Sequence, residues 1–131
     1  MPKFIVDSLA DGMVTLKMPS NNYRNSFKLP EGVPPPPPPG HRVVGTIHAP
    51  AWKIEAVSDG GNYVEPLYGR PRRLQGTVLS VNAAANELTV KTAYEVTVKL
   101  PARYSAAAFA VGTRVGWDNI DVPTFTPAVS A

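Results

Sequence analysis

The sequence predicts an all-β fold, a small antiparallel barrel preceded by an N-terminal hairpin or arm. Three observations lead there. Short β-branched runs recur roughly every ten residues with turn residues at each break, the pattern of barrels and sandwiches. Fifteen prolines and ten glycines in 131 residues exclude long helices. With 44% hydrophobic and 18% charged residues, the chain is too apolar for disorder and too lightly charged for a coiled coil.

The elements follow in order. Lys3 to Val6 and Met13 to Met18 flank an Asp11-Gly12 turn and read as a hairpin. Residues 19–33 have neither helical nor strand periodicity and read as loop. Pro34 to Pro39 are six consecutive prolines closed by Gly40. Each fixes its own φ and extends the residue before it, so the tract reads as a stiff polyproline II spacer. Beyond it, Arg42–Ile47 and Trp52–Val57 read as two strands, and Asn62–Glu65 as a third. Leu74–Val81 and Glu87–Lys91 flank a turn; Tyr94–Leu100 alternates cleanly, with Tyr94, Val96, Val98 and Leu100 on one face. Ser105–Val111 is the one helix-compatible window, and Arg114–Trp117 the last strand.

These elements divide the chain into a hairpin and arm (1–33), the proline spacer (34–40), a small barrel (41–122) and a tail (123–131). The arrangement from Leu74 onward, a hairpin, a third strand, a short helix and a final strand, is similar to five-stranded barrels of the oligonucleotide-binding (OB) type. Gly45-Thr46-Ile47 and Gly76-Thr77-Val78 each open a strand–turn–strand unit, and Tyr63 and Tyr94 keep the same offset of 31, suggesting an internal duplication at that spacing.

Several chemistries are excluded or unsupported. The absence of cysteine removes disulfides, a thiolate nucleophile and any Cys-based metal site. His41 and His48 lack metal-ligand spacing, and no nucleophile elbow, phosphate loop or dinucleotide fingerprint occurs. Asp118 with Asp121 is the closest carboxylate pair outside the N-terminal hairpin, without a sign of paired-acid catalysis. No enzyme, cofactor or metal is therefore expected. The net charge of +3 aids an encounter with an anionic partner without naming one. With neither a signal-peptide h-region nor an apolar span, the expected location is cytoplasmic.

The expected function is that of a structural or accessory subunit docking onto a larger protein assembly, homo- or hetero-oligomeric. Its contacts are assigned to Pro34, Pro35, Pro36, Pro37, Pro38, Pro39, Tyr23 and Phe27, to the C-terminal tail and to short strand edges. The alternative is nucleic-acid binding through Arg70, Arg72 and Arg73 with Tyr68 and Trp52, aromatic faces stacking bases while cations track phosphates. Gly69-Arg70-Pro71 resembles the Gly-Arg-Pro core of the AT-hook, although Tyr68 stands where that motif carries another Arg. Core burial is the competing reading for Trp52 and Tyr63. A third reading, an oligosaccharide or small-ligand barrel, needs Trp52 or Trp117 in an open groove.

Overall fold

The computed structural model describes residues 2–128. It is all-β, a mixed sheet of eleven strands: β1 (Lys3–Ala10), β2 (Met13–Lys17), β3 (Arg24–Lys28), β4 (Arg42–Ala56), β5 (Tyr63–Glu65), β6 (Tyr68–Gly69), β7 (Arg73–Asn82), β8 (Glu87–Lys91), β9 (Glu95–Lys99), β10 (Arg114–Asn119) and β11 (Thr124–Pro127). Among the described residues no helix is long and apolar enough to cross a membrane.

Local chemistry explains most of the strands. The β1–β2 hairpin turns through Asp11 and Gly12, both at positive φ (53° and 73°), the two-residue geometry that suits the right-handed twist of a hairpin. Val14 and Leu16, Leu88 and Val90, and Val96 and Val98 point inward at every second position, as the pleat requires. Two departures stand out. Residues 24–28 form β3, although Arg-Asn-Ser-Phe-Lys offers one large apolar side chain; Asn25 takes the other inward position. The two runs on either side of Pro50 form one strand of 15 residues, β4.

Strand pairing divides the chain differently from the expected hairpin, spacer and barrel. Consecutive pairs β1–β2, β2–β3, β3–β11, β11–β4 and β4–β1 return to their start, and so do β4–β10, β10–β7, β7–β8, β8–β9 and β9–β4. Two rings of five strands thus share β4. In the first, β1–β2–β3 is followed by a return connection (29–41) that lays the start of β4 beside β1. In the second, β7–β8–β9 is followed by a return connection (100–113) that lays β10 beside β7. Each is a Greek key. The proline tract is therefore the crossover of the first ring and not a link between separate domains.

The two Greek keys are copies. Gly40 donates to the Val6 carbonyl at 2.7 Å, and Gly112 to Val78 at 2.8 Å, 72 positions later. Val6 donates to His41 as Val78 does to Thr113, both at 2.9 Å, and His41 to Pro38 as Thr113 does to Ala110. Gly40 and Gly112 share φ near 90°. A bulge interrupts β1 between Val6 and Ser8 and β7 between Val78 and Ser80. The sequences agree at offsets between 71 and 74, which differ by short insertions between strands. Val14-Thr15-Leu16-Lys17 matches Leu88-Thr89-Val90-Lys91, and Lys28-Leu29-Pro30 matches Lys99-Leu100-Pro101. Tyr23 matches Tyr94, and Gly40-x-Arg42-Val43 matches Gly112-x-Arg114-Val115. The duplication at offset 31 is not the one the fold contains: Gly45 lies inside β4 and Gly76 inside β7, with unrelated neighbours.

The fifth strand of each ring comes from the opposite half. The latter part of β4 pairs with β9 and β10, whereas β11, which follows β10, pairs with β3 and the first part of β4. The halves are interlocked by this exchange, and one continuous apolar core fills both rings.

Where the halves meet, the aromatic residues gather. The Tyr94 ring makes edge contacts with Phe4, Phe27 and its own counterpart Tyr23 at 6.2, 6.0 and 6.5 Å between centroids. Its hydroxyl donates to Asn25 Oδ1 at 2.7 Å. Burial, and secondarily the neighbouring Tyr23, pushes the Tyr94 phenol well above the ordinary tyrosine value. An acid whose folded pKa is raised contributes stability below its unfolded pKa of about 10, lost as pH climbs above that value. Wild-type protein should lose up to about 1.4 kcal/mol per pH unit more than Tyr94→Phe above pH 10. Parallel urea titrations from pH 8 to 11 check this; identical slopes would refute it.

Candidate functional site

The proline crossover is held at both ends. At its start Leu29 donates to the Gly12 carbonyl at 2.9 Å, and at its end Gly40 and His41 make the bonds described above. Between these anchors Pro34, Pro35, Pro38 and Pro39 are exposed, while Pro36 and Pro37 are half-buried. A hollow of about 430 Å³ runs between Pro34, Pro35 and Pro37 on one side and Arg42–Val44, Pro127 and Ala128 on the other. Ala128 donates to the Val44 carbonyl at 2.8 Å, so the part of the tail that is described, up to Ala128, is a paired strand and its extension. The rest of that expected contact, 129–131, lies outside the described residues.

Tyr23 and Phe27 do not join this surface. Phe27 is fully buried in the core. Tyr23 is half-buried against Tyr94, and its hydroxyl accepts the Val64 amide at 3.3 Å. Both belong to the copied β3 region, which the sequence reading took for loop. Strand edges offer little either: among the described strands only β5 and β6, of three and two residues, have a neighbour on one side alone.

The five residues of the nucleic-acid reading are not brought together. Tyr68 is 60% exposed, but on β6 at the edge of β3. Arg73 lies against Gly116, with Glu55 and Asp118 each 3.7 Å away, and its charge is matched there. Arg70 and Arg72 are exposed. The AT-hook resemblance fails on Pro71, which is buried and whose carbonyl accepts Asn119 Nδ2 at 3.1 Å; a hook needs that backbone free to enter a groove.

Trp52 is the exception. Alternation from Val43 to Ala51 places it outward and would turn Ile54 out of the core. Instead the pairing of β4 with β10 shifts register: Asp118 faces Lys53 and Asn119 faces Ala51. The extra residue is Trp52, so the indole stays outward at 46% exposure next to buried Ala51, and the bulge returns Ile54 to the core. Lys53 Nζ sits 4.7 Å from the indole centroid. Arg103 donates to the Trp52 carbonyl, and its guanidinium lies 5.2 Å from the Tyr104 ring centroid. Arg103 and Tyr104 carry no motif and were missed; aligning the two return connections is the signal that finds them. Trp117, in contrast, is fully buried with its Nε1 donating to Asn119 Oδ1 at 2.8 Å, so it lines no groove.

The histidines lie apart. His41 is exposed beside the proline crossover. His48 lines a cleft of about 220 Å³ with Lys28, Glu87, Lys99 and Asp121, where β4 passes from one ring to the other. Asp121 is held below the ordinary carboxylate range by hydrogen bonds from Lys28 and the Val122 amide, both at 2.7 Å, with the charges of Lys28 and Arg70 contributing less. Among the described residues no His pairs with a carboxylate and no three acidic or imidazole groups converge for a metal.

Comparison of the chain with protein-family models, with curated proteins and with solved structures finds no match.

Proposed function

We propose that the chain is a non-catalytic accessory subunit that docks onto a larger protein assembly through its proline crossover. Its two strand rings act as small barrels, the second of them OB-like, that hold the crossover in place. One observation carries this reading. The second half makes the same β-to-β return with residues 102–111, an ordinary stretch with a single 3₁₀ turn at Ala106–Ala108 and no proline. The connection therefore does not need six prolines. In the first half they stand between fixed anchors with four of their rings toward solvent. Such a ridge is already ordered before a partner arrives, so docking costs little further conformational entropy. Its apolar faces, and its carbonyls other than that of Pro38, suit the aromatic-lined grooves that read proline-rich segments.

The test is a crossover exchange. A variant carrying the sequence of 102–111 in place of 31–39 should fold at a cost of roughly 2–6 kcal/mol, since six prolines stabilise by roughly 0.4–1 kcal/mol each mainly through the unfolded chain. It should lose the partner that wild type retrieves from extracts of the producing cell. Equal retrieval by both proteins, or retrieval by neither, would discard the reading.

A further inference from the structure

We propose that Trp52, Lys53, Arg103 and Tyr104 form a stacking site for single-stranded nucleic acid, a site distinct from the proline ridge and from the Arg70–Arg73 loop. The β4 bulge is the first ground. Trp52 is its extra residue, half exposed and outside the β4–β10 pairing, so the indole stands clear of the ladder. Arg103 joins the two segments by its bond to the Trp52 carbonyl, so Trp52 and Tyr104 belong to one surface with a cation over each ring. Next to it a hollow of about 170 Å³ runs between Tyr104 and a row formed by Lys53–Glu55, Arg73, Gly116 and Asp118. Arg73 stands 3.7 Å from each of the two carboxylates there, Glu55 and Asp118, and with Lys53 and Arg103 the surface carries three positive charges against two negative ones.

The duplication sharpens the case. The corresponding hollow of the first half lies between its own return connection and the β4–β11 pair. There it is lined by prolines, valines and alanine with Arg42 and has no aromatic ring. Two copies of one groove have diverged, and of the two only the second has flat rings with cations beside them. Bases stack on aromatic faces whatever their identity, and the cations track the backbone, so the class of ligand is single-stranded DNA or RNA with little sequence preference.

The protein reports on this site directly. Its two tryptophans are Trp52, half exposed, and Trp117, fully buried, so quenching of indole emission by an added ligand reads Trp52. Titration with oligo(dT) at 50 mM salt should quench the emission and weaken steeply as salt rises. Because stacking is worth roughly 1–3 kcal/mol per base, Trp52→Ala and Arg103→Ala, read by fluorescence anisotropy of a labelled oligonucleotide, should each weaken binding at least about fivefold. Arg70→Ala with Arg72→Ala should change it less than about twofold. All these side chains are exposed, and circular dichroism of each variant verifies folding. Unchanged emission, or variants at Trp52 and Arg103 that bind like wild type, would overturn the proposal. Equal quenching by heparin, a polyanion without bases, would overturn it as well, and a loss confined to the Arg70 and Arg72 variants would move the site to that loop.

Discussion

Replacing Asn25 by alanine is expected to lower the free energy of unfolding by about 4 kcal/mol, near the upper end for a single substitution. Asn25 is fully buried and every polar atom of its side chain is used. Its amide nitrogen lies 3.1, 3.4 and 3.1 Å from the carbonyl oxygens of Pro66, Leu67 and Gly69, and its oxygen accepts the Tyr94 hydroxyl. Alanine leaves that hydroxyl and the Pro66 and Gly69 carbonyls without the Asn25 side chain, at roughly 1–3 kcal/mol for each group that water does not reach, while the Leu67 carbonyl keeps the Arg24 amide. A small cavity adds to the loss. Urea unfolding measures it, and a change below about 1.5 kcal/mol would show that the segment re-solvates freely. The double variant with Tyr94→Phe should cost clearly less than the two single changes together, because both remove one shared hydrogen bond.

Gly76→Ala should cost about 3 kcal/mol, through overpacking and not through the backbone. A methyl group at that position falls 2.1 Å from the Lys91 carbonyl oxygen and 2.6 Å from its carbonyl carbon, with Val90 Cγ1 at 2.9 Å. No rotamer relieves a clash with the main chain of a paired strand, so β7 and β8 must move apart where Thr77 faces Lys91. Thermal unfolding of the variant reads the effect directly. A shift within a degree or two of wild type would mean that the two strands tolerate a wider spacing than their ladder implies.

Much of the architecture was legible in the residues. Period-2 alternation located β2, β8 and β9, and Asp11-Gly12 located the first turn, because one buried face and positive φ are demands a sequence meets visibly. The all-β character was legible for the same reason. Strand β3 was not, since its inward row is completed by a hydrogen-bonded Asn25 instead of an apolar side chain. Pro50 disguised the continuity of β4, although a proline is tolerated where its missing N–H has no ladder role. Trp52 shares a parity with Ile54 in the run Trp52–Val57, and no local pattern announces the register shift that separates them. The duplication was present in plain letters, Lys-Leu-Pro and Gly-x-Arg-Val in both halves, but the copies stand 71 and 72 positions apart and shorter coincidences at 31 competed with them. Of the proposed surfaces, the proline run was obvious in the sequence. The partnership of Trp52 with Arg103 and Tyr104 depends on a return connection folding beside β4, and spacing alone does not encode that.

The exchange of closing strands bears on how the chain reaches this state. During synthesis the first ring stays open until residues 124–127 have left the ribosome, because only they fill the gap between β3 and β4. The earliest-made half must wait for the last, with its aromatic interior exposed in the interval. Loop closure over such separations is slow, and the nascent polypeptide is correspondingly vulnerable to aggregation.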